Sequence, residues 1–141
     1  MRSDRTDVLI VEDDPSLLGA VADAFLEEGF EVRAFARPEP ALETIVRSQP
    51  RLVITDEDLP GMFGHELMER ACARLGHAAP RFVLLTDPST PRVFLTGFDA
   101  VLYKPFRLDE LLAHARSLGL RRAVSGTRVR AGGSAGEEET G

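Results

Sequence analysis

Short runs of β-favouring apolar residues alternate along the chain with longer stretches whose apolar residues recur at helical spacing. The predicted strands are 8–11, 31–35, 52–55, 82–85 and 100–103, and the predicted helices are 15–28, 38–48, 65–75 and 108–118. Such alternation is typical of a parallel sheet with helices on both faces and right-handed crossovers. We therefore predict an α/β fold with a doubly wound five-stranded parallel sheet in the order 2-1-3-4-5.

Local signals set several of these boundaries. Asp14 and Pro15 supply an N-cap and a proline at the first helical position, and Gly29 ends that helix. Between the fourth and fifth strands, two prolines and a glycine leave at most 91–96 to coil, so the helix expected there is short or irregular. From about residue 121 the pattern is lost, which predicts one domain at 1–120 and a flexible C-terminal tail at 121–141.

Composition narrows the class of protein. With 43% apolar and 28% charged residues in 141, the chain has the make-up of a single soluble globular domain. A net charge of −6 disfavours direct binding to nucleic acids or anionic membranes, and no signal peptide or membrane span is visible. The single cysteine, Cys72, cannot form an internal disulfide and fits a cytoplasmic location, where we expect it to be a buried structural thiol.

Four of the five predicted strands end in a reactive side chain. Glu12 and Asp13 follow the first strand, Asp56 the third, Thr86 the fourth and Lys104 the fifth. Strands one and three are neighbours in the predicted order, so their three carboxylates should converge at the carboxyl edge of the sheet. Carboxylates that close repel one another unless a cation lies between them, and an open site with oxygen ligands suits Mg²⁺.

The remaining strand ends fit the transfer of a phosphoryl group. Lys104 is the one lysine among 17 cationic side chains, and it provides a compact point charge where an arginine would place a broad planar fork. Its ammonium group and the Thr86 hydroxyl can both bind anionic oxygens. A metal, a lysine and a hydroxyl around a carboxylate nucleophile indicate phosphoryl transfer onto Asp56.

Four fragments, in order and each at a strand end, resemble the response-regulator receiver domain, the CheY-like family, over about residues 6–120. They are Val-Leu-Ile-Val-Glu-Asp-Asp-Pro, Leu-Val-Ile-Thr-Asp-Glu-Asp-Leu-Pro-Gly-Met-Phe-Gly, Val-Leu-Leu-Thr and Tyr-Lys-Pro-Phe. The resemblance implies a flavodoxin/CheY-like fold and a cytoplasmic signalling phospho-acceptor of a bacterial two-component phosphorelay. Such a protein is not an enzyme beyond its own aspartyl phosphorylation and dephosphorylation.

The resemblance also implies partners and residue roles. Asp56 would accept the phosphoryl group from a phosphohistidine on a sensor histidine kinase or a phosphotransfer protein, and an unidentified downstream protein would read the result. Glu12, Asp13 and Asp56 would hold Mg²⁺ together with the backbone carbonyl of Asp58. The peptide bond between Lys104 and Pro105 would be cis. A homodimer is left open, as is whether the chain is stand-alone or part of a longer regulator.

Three departures from the family pattern fall in one region. Asp87 is a bulky anion at a position that is normally small, and an inward carboxylate there would oppose a phosphoryl group and attract Lys104. Val101 occupies the place of the aromatic residue that swings inward on activation, and Tyr103 does not replace it. With the short fourth helix, these departures predict intact phosphoryl chemistry and a modified output face, formed in the family by the fourth helix, fifth strand and fifth helix.

Two alternatives come from other functional classes. The first is a pseudo-receiver that acts without phosphorylation as a protein-interaction module, which Asp87 and Val101 favour. The second is a haloacid-dehalogenase-type phosphatase with Asp56 as nucleophile and Asp58 as acid/base. That second reading leaves the acidic end of the first strand unexplained and puts Pro60 where Thr or Val is usual.

Simpler roles are expected for several polar residues near these motifs. Asp14 is expected to cap its helix, and Glu57 to lie at the rim of the site in solvent. The three histidines, His65, His77 and His114, lack the spacing of metal ligands and are expected on the surface.

Overall fold

Residues 5–122, the part of the chain that this computed structural model describes, form five strands and four α-helices, with an α-helix after every strand except β4. They are β1 Val8–Val11, α1 Pro15–Glu27, β2 Val32–Phe35, α2 Pro38–Ser48, β3 Leu52–Asp56, α3 Gly64–Leu75, β4 Arg81–Thr86, β5 Ala100–Tyr103 and α4 Leu108–Ser117. The strands are parallel, in the order β2-β1-β3-β4-β5, which confirms the predicted fold. Most of the predicted tail lies outside the described residues, so its flexibility stays a prediction.

The sheet register brings the reactive strand ends to one edge. Val11 of β1 pairs with Thr55 of β3, so Glu12, which follows β1, and Asp56, the last residue of β3, lie at the same level of the sheet. On the other side of β3, Asp56 pairs with Leu85 of β4. The ends of β4 and β5 therefore follow beside that of β3, as the predicted strand order requires.

Two apolar cores lie on opposite faces of the sheet, because successive side chains of a strand point to opposite sides. Val8 and Ile10 face a core with Phe25 of α1 and Leu111 of α4. Leu9 and Val11 face the other core, where Ile45, Leu67 and Phe82 pack. The strands β1 and β3 are covered on both faces, which accounts for their continuous apolar sequence.

The start and end of α1 follow the predicted signals. The Asp14 carboxylate accepts a hydrogen bond of 3.0 Å from the backbone N–H of Ser16, with Pro15 at the first helical position. Gly29 follows the helix with φ of +93°, a conformation that a side chain makes costly. Asp14 is therefore a cap, as expected.

The connection between β4 and β5 contains only a 3₁₀ turn, Arg92–Phe94, and no α-helix. Pro88 and Pro91 cannot donate backbone hydrogen bonds, and this limits the coil to a single turn. The predicted short or irregular helix is confirmed. Within residues 5–122, no helix combines the length and apolar character needed to cross a lipid bilayer.

Candidate functional site

Three carboxylates meet at the carboxyl edge of the sheet, as the strand order predicted. Glu12, Asp13 and Asp56 each offer an oxygen that lies within 4.8 Å of the other two. Glu12 and Asp56 are buried, whereas Asp13 is exposed, so the cluster opens to solvent on one side. Three carboxylate oxygens with an open side match the preference of a small hard cation that retains water ligands, so this cluster could hold Mg²⁺.

Lys104 lies against the same carboxylates. Its Nζ is 3.2 Å from Glu12 Oε1 and 3.2 Å from Asp56 Oδ1. The backbone N–H of Lys104 donates to the carbonyl of Thr86 at 2.8 Å, which extends the pairing of β4 and β5 to this residue. The bond between Lys104 and Pro105 is cis, as the resemblance implied.

Burial and charge oppose each other at these groups. Burial raises the pKa of the Asp56 carboxyl, although Lys104 and the backbone N–H groups of Glu57 and Asp58 act to lower it. Burial likewise raises the pKa of Glu12, against a hydrogen bond from the Asp14 backbone N–H. Burial acts to lower the pKa of Lys104, but the charges of Asp56 and Glu12 outweigh it, so the pKa rises and the ammonium group stays charged.

The Thr86 hydroxyl is buried and lies 2.5 Å from the hydroxyl of Thr90. A turn brings Thr90 next to Thr86, and the backbone N–H of Thr90 closes this turn by donating to the Asp87 carbonyl at 3.0 Å. The Asp87 carboxylate accepts a hydrogen bond of 2.9 Å from the Ser89 backbone N–H and is exposed. Asp87 therefore stabilises this turn, and its carboxylate does not pair with Lys104.

The other two unusual positions lie on β5. Val101 is partly buried and pairs in register with Leu84, whereas Tyr103 is 45% exposed. Position 101 has no aromatic ring, and the ring of Tyr103 is not packed inside the molecule. The modified output face that was expected from position 101 stays a prediction.

The expectation that Glu57 lies in solvent was wrong. Its side chain is 5% exposed, and His65, expected on the surface, is 13% exposed and binds it. Glu57 Oε1 accepts from the backbone N–H of His65 at 2.9 Å, and Oε2 lies 2.5 Å from His65 Nδ1. His77 is exposed and His114 is partly buried. The sequence separation of Glu57 and His65 does not correspond to any motif that predicts contact, so their pairing could not be predicted from the sequence.

Cys72 is partly buried in α3, and burial raises the pKa of its thiol, with the charge of Asp99 adding to the effect. A thiol with a raised pKa is a poor nucleophile. The thiol is partly buried and not fully buried as expected, but it packs against the core that contains Leu67 and Phe82, which agrees with a structural role.

Comparisons of the sequence and the fold with known proteins agree on one family. Residues 8–116 match the family of response regulator receiver domains. The chain belongs to that family. The relatives that it matches are named as response regulators and transcriptional regulatory proteins.

Among the relatives, the chain is 32% identical over 116 residues to the DNA-binding response regulator MtrA of Mycolicibacterium smegmatis, covering 80% of this chain and 50% of that protein. The chain thus spans about half the length of the curated relatives it matches. Among solved structures, a CheY-like receiver domain from Methanospirillum hungatei superposes with a TM-score of 0.72 at 29% identity, over 80% of this chain and 92% of that one. CheY4 of Vibrio cholerae gives 0.73 at 24% identity, over 81% of this chain and 98% of its own, and supports the fold alone.

Proposed function

We propose that this chain is the phospho-accepting receiver of a bacterial two-component phosphorelay. Asp56 takes a phosphoryl group from a phosphohistidine on a sensor histidine kinase or a phosphotransfer protein. The observation that carries the proposal is the position of Lys104, whose ammonium group contacts both Asp56 and Glu12 inside the acidic cluster.

The chain's own groups divide the reaction among them. An oxygen of Asp56 attacks phosphorus and forms the new O–P bond, while the P–N bond of the donor breaks and the histidine leaves with the electron pair. Lys104 neutralises charge on the transferred group, and the Thr86 hydroxyl donates to one of its oxygens. Glu12, Asp13, Asp56 and the backbone carbonyl of Asp58 would hold Mg²⁺, which when bound neutralises further charge on the phosphoryl oxygens.

Neither alternative gains support from the site. The pseudo-receiver reading depended in part on Asp87 as an anion beside the phosphoryl site, but its carboxylate is exposed and binds its own turn. The phosphatase reading needs the Asp58 carboxyl beside the nucleophile, but among the described residues the carboxylates that cluster with Asp56 are those of Glu12 and Asp13, and the cluster does not include Asp58. Val101 remains, and it supports an output face that differs from the family's usual one.

The partners that we propose are therefore proteins. A net charge of −6 disfavours binding to nucleic acid, and the downstream target that we propose is a protein still to be identified. The DNA binding named for MtrA is a property of that longer relative.

Acetyl phosphate with and without Mg²⁺, followed by intact mass, tests the proposal. We expect one phosphoryl group per chain with Mg²⁺, no labelling with EDTA, and none in Asp56→Asn. Asp23→Asn is the matched control, since it removes an exposed carboxylate of the same residue type on α1, and it should label normally. Stoichiometric labelling of Asp56→Asn would show that the acceptor is another residue. Rapid turnover of a phosphomonoester would instead favour the phosphatase.

A further inference from the structure

The residue that follows the acceptor is a buried carboxylate with an unusual set of partners. Both oxygens of Glu57 are occupied by His65, one by its backbone N–H and the other by its imidazole. In addition, the Glu57 carbonyl accepts a hydrogen bond of 2.9 Å from the backbone N–H of Gly64. A buried carboxylate is costly unless it is paired, so these contacts hold the Glu57 side chain in place.

These bonds close the loop that follows Asp56. All three end on Glu57 at one side and on Gly64 or His65 at the other, so residues 57–65 form a ring fastened at its base. Asp58, whose carbonyl is a proposed Mg²⁺ ligand, belongs to this segment. The contacts of Glu57 with His65, together with the backbone bond from Gly64, therefore hold the segment that carries this carbonyl.

The imidazole of His65 also binds a different part of the chain. Its ring stacks on Phe94 with centroids 4.2 Å apart and planes 9° apart, and Phe63 stacks on it at 5.6 Å and 12°. Phe94 belongs to the 3₁₀ turn between β4 and β5, downstream of Thr86. Phe63 and Phe94 are 50% and 37% exposed, so the stack is a surface feature and not a part of either apolar core.

We propose that His65 is a positioning residue of the acidic site. Held by Glu57 and stacked on Phe94, it fastens the acceptor loop to the segment between β4 and β5, so that both respond together when the site binds Mg²⁺ and a phosphoryl group. This inference rests on the proposed function. It supplies a contact between these two segments in a chain that has neither an aromatic residue at position 101 nor a regular helix before β5.

Two variants separate the two halves of the link. His65→Gln removes the ring but keeps an amide that can donate to Glu57, and Phe94→Leu removes the stack while leaving the Glu57–His65 contacts intact. His77→Gln and Val93→Ala are matched controls at exposed positions. Phe94→Tyr is the conservative replacement, because it retains a stacking ring. Both Phe94 variants change an exposed side chain and should fold.

The measurement is the amide NMR spectrum of each full-length protein, titrated with Mg²⁺ and then with beryllofluoride as the phosphoryl analogue. In the wild type, amides at 56–58 and at 92–98 should both shift. In His65→Gln and Phe94→Leu, the amides at 56–58 should still shift at saturation, while those at 92–98 should lose most of their response. Mg²⁺ should bind His65→Gln about tenfold more weakly, as is usual when a residue that supports a metal ligand is lost. Phe94→Tyr, His77→Gln and Val93→Ala should behave as the wild type.

The outcomes distinguish this inference from the proposed function. If the wild type responds at 56–58 and both variants keep the full response at 92–98 with unchanged Mg²⁺ affinity, His65 has no positioning role and the inference is overturned alone. If the wild-type amides at 56–58 do not respond to Mg²⁺ with beryllofluoride, the proposed function fails, and this inference fails with it.

Discussion

Lys104 Nζ lies 3.2 Å from Oδ1 of Asp56, the proposed phosphoryl acceptor. The same nitrogen lies 3.2 Å from Glu12, so without a metal ion the ammonium group is the counter-ion of both carboxylates. A divalent cation at the cluster would share those carboxylates with Lys104. The lysine therefore has opposite effects on the two proposed ligands: it opposes the metal and favours the phosphoryl group.

Replacing Lys104 should reveal this opposition. In Lys104→Met, Mg²⁺ should bind more tightly, because the competing charge is gone. The rate of labelling by acetyl phosphate should fall by at least about tenfold, since a hydrogen bond to a charged group contributes roughly 1.5–3 kcal/mol. Lys104→Arg should not restore labelling, because a planar guanidinium does not place its charge as the compact ammonium does. Calorimetry and intact mass measure the two effects, with Arg107→Met, an exposed cation, as control. Weaker Mg²⁺ binding in Lys104→Met would contradict the competition.

Burial of the charged Asp56 carboxylate should make the metal-free wild type less stable than a variant with a neutral side chain at this position. Because burial raises the pKa of Asp56, the folded state holds its proton more tightly than the unfolded state does. Stability then falls as pH rises from about 4, the ordinary value, through the folded pKa, and is constant above it. In EDTA at neutral pH, Asp56→Asn should melt above the wild type, and the difference should vanish at pH below about 4.

Thermal unfolding followed by circular dichroism over a pH series measures this difference. Asp23→Asn, an exposed carboxylate on α1, should change stability by no more than about 0.5 kcal/mol at any pH. A lower melting temperature for Asp56→Asn at neutral pH would mean that its ion pair with Lys104 outweighs its burial.

The hydroxyl contact between Thr86 and Thr90 should restrain phosphoryl binding. If Thr86 must give up this contact to donate to a phosphoryl oxygen, Thr90→Val removes the competitor. Beryllofluoride affinity should then rise about fivefold, the equivalent of one neutral hydrogen bond of about 1 kcal/mol. Fluorine NMR of bound beryllofluoride measures the affinity. Thr96→Val is the control, because its hydroxyl donates to the Val93 carbonyl and not to Thr86. Weaker binding in Thr90→Val would mean that Thr90 orients the Thr86 hydroxyl for donation.

The fold and the carboxylate cluster could be predicted because both depend on period and order along the chain. Alternating strands and helices determine which strand ends are neighbours, and the neighbours determine that Glu12 and Asp56 meet. Lys104 was found for the same reason, since it ends a strand on the same edge.

The side-chain directions in loops could not be predicted in this way. From the sequence, an inward Asp87 carboxylate was expected to oppose a phosphoryl group. In the structure this carboxylate accepts a hydrogen bond from the Ser89 backbone N–H, and that direction depends on the geometry of the turn. Glu57 and His65 were misplaced because their pairing depends on the path of the loop between them. Their stack with Phe94 depends on a segment still further along the chain.

Gly64, the first residue of α3, shows how closely this helix approaches the acceptor. A Cβ at this position would lie 2.3 Å from the backbone oxygen of Asp56, which cannot move without moving the acceptor itself. Gly64→Ala should therefore destabilise the fold by roughly 1–3 kcal/mol, as overpacking usually does, and reduce labelling of Asp56.

Gly19, on the exposed side of α1, provides the matched control for Gly64. A Cβ there would meet no atom within 4 Å, so the change tests only the helical backbone. Gly19→Ala should raise stability by about 0.5–1 kcal/mol, because alanine loses less conformational entropy than glycine on forming a helix, and labelling should be unchanged. Urea unfolding of both variants measures the two opposite shifts. Equal stability and equal labelling in Gly64→Ala and the wild type would show that α3 can withdraw from β3 at no cost, and that its close approach does not position Asp56.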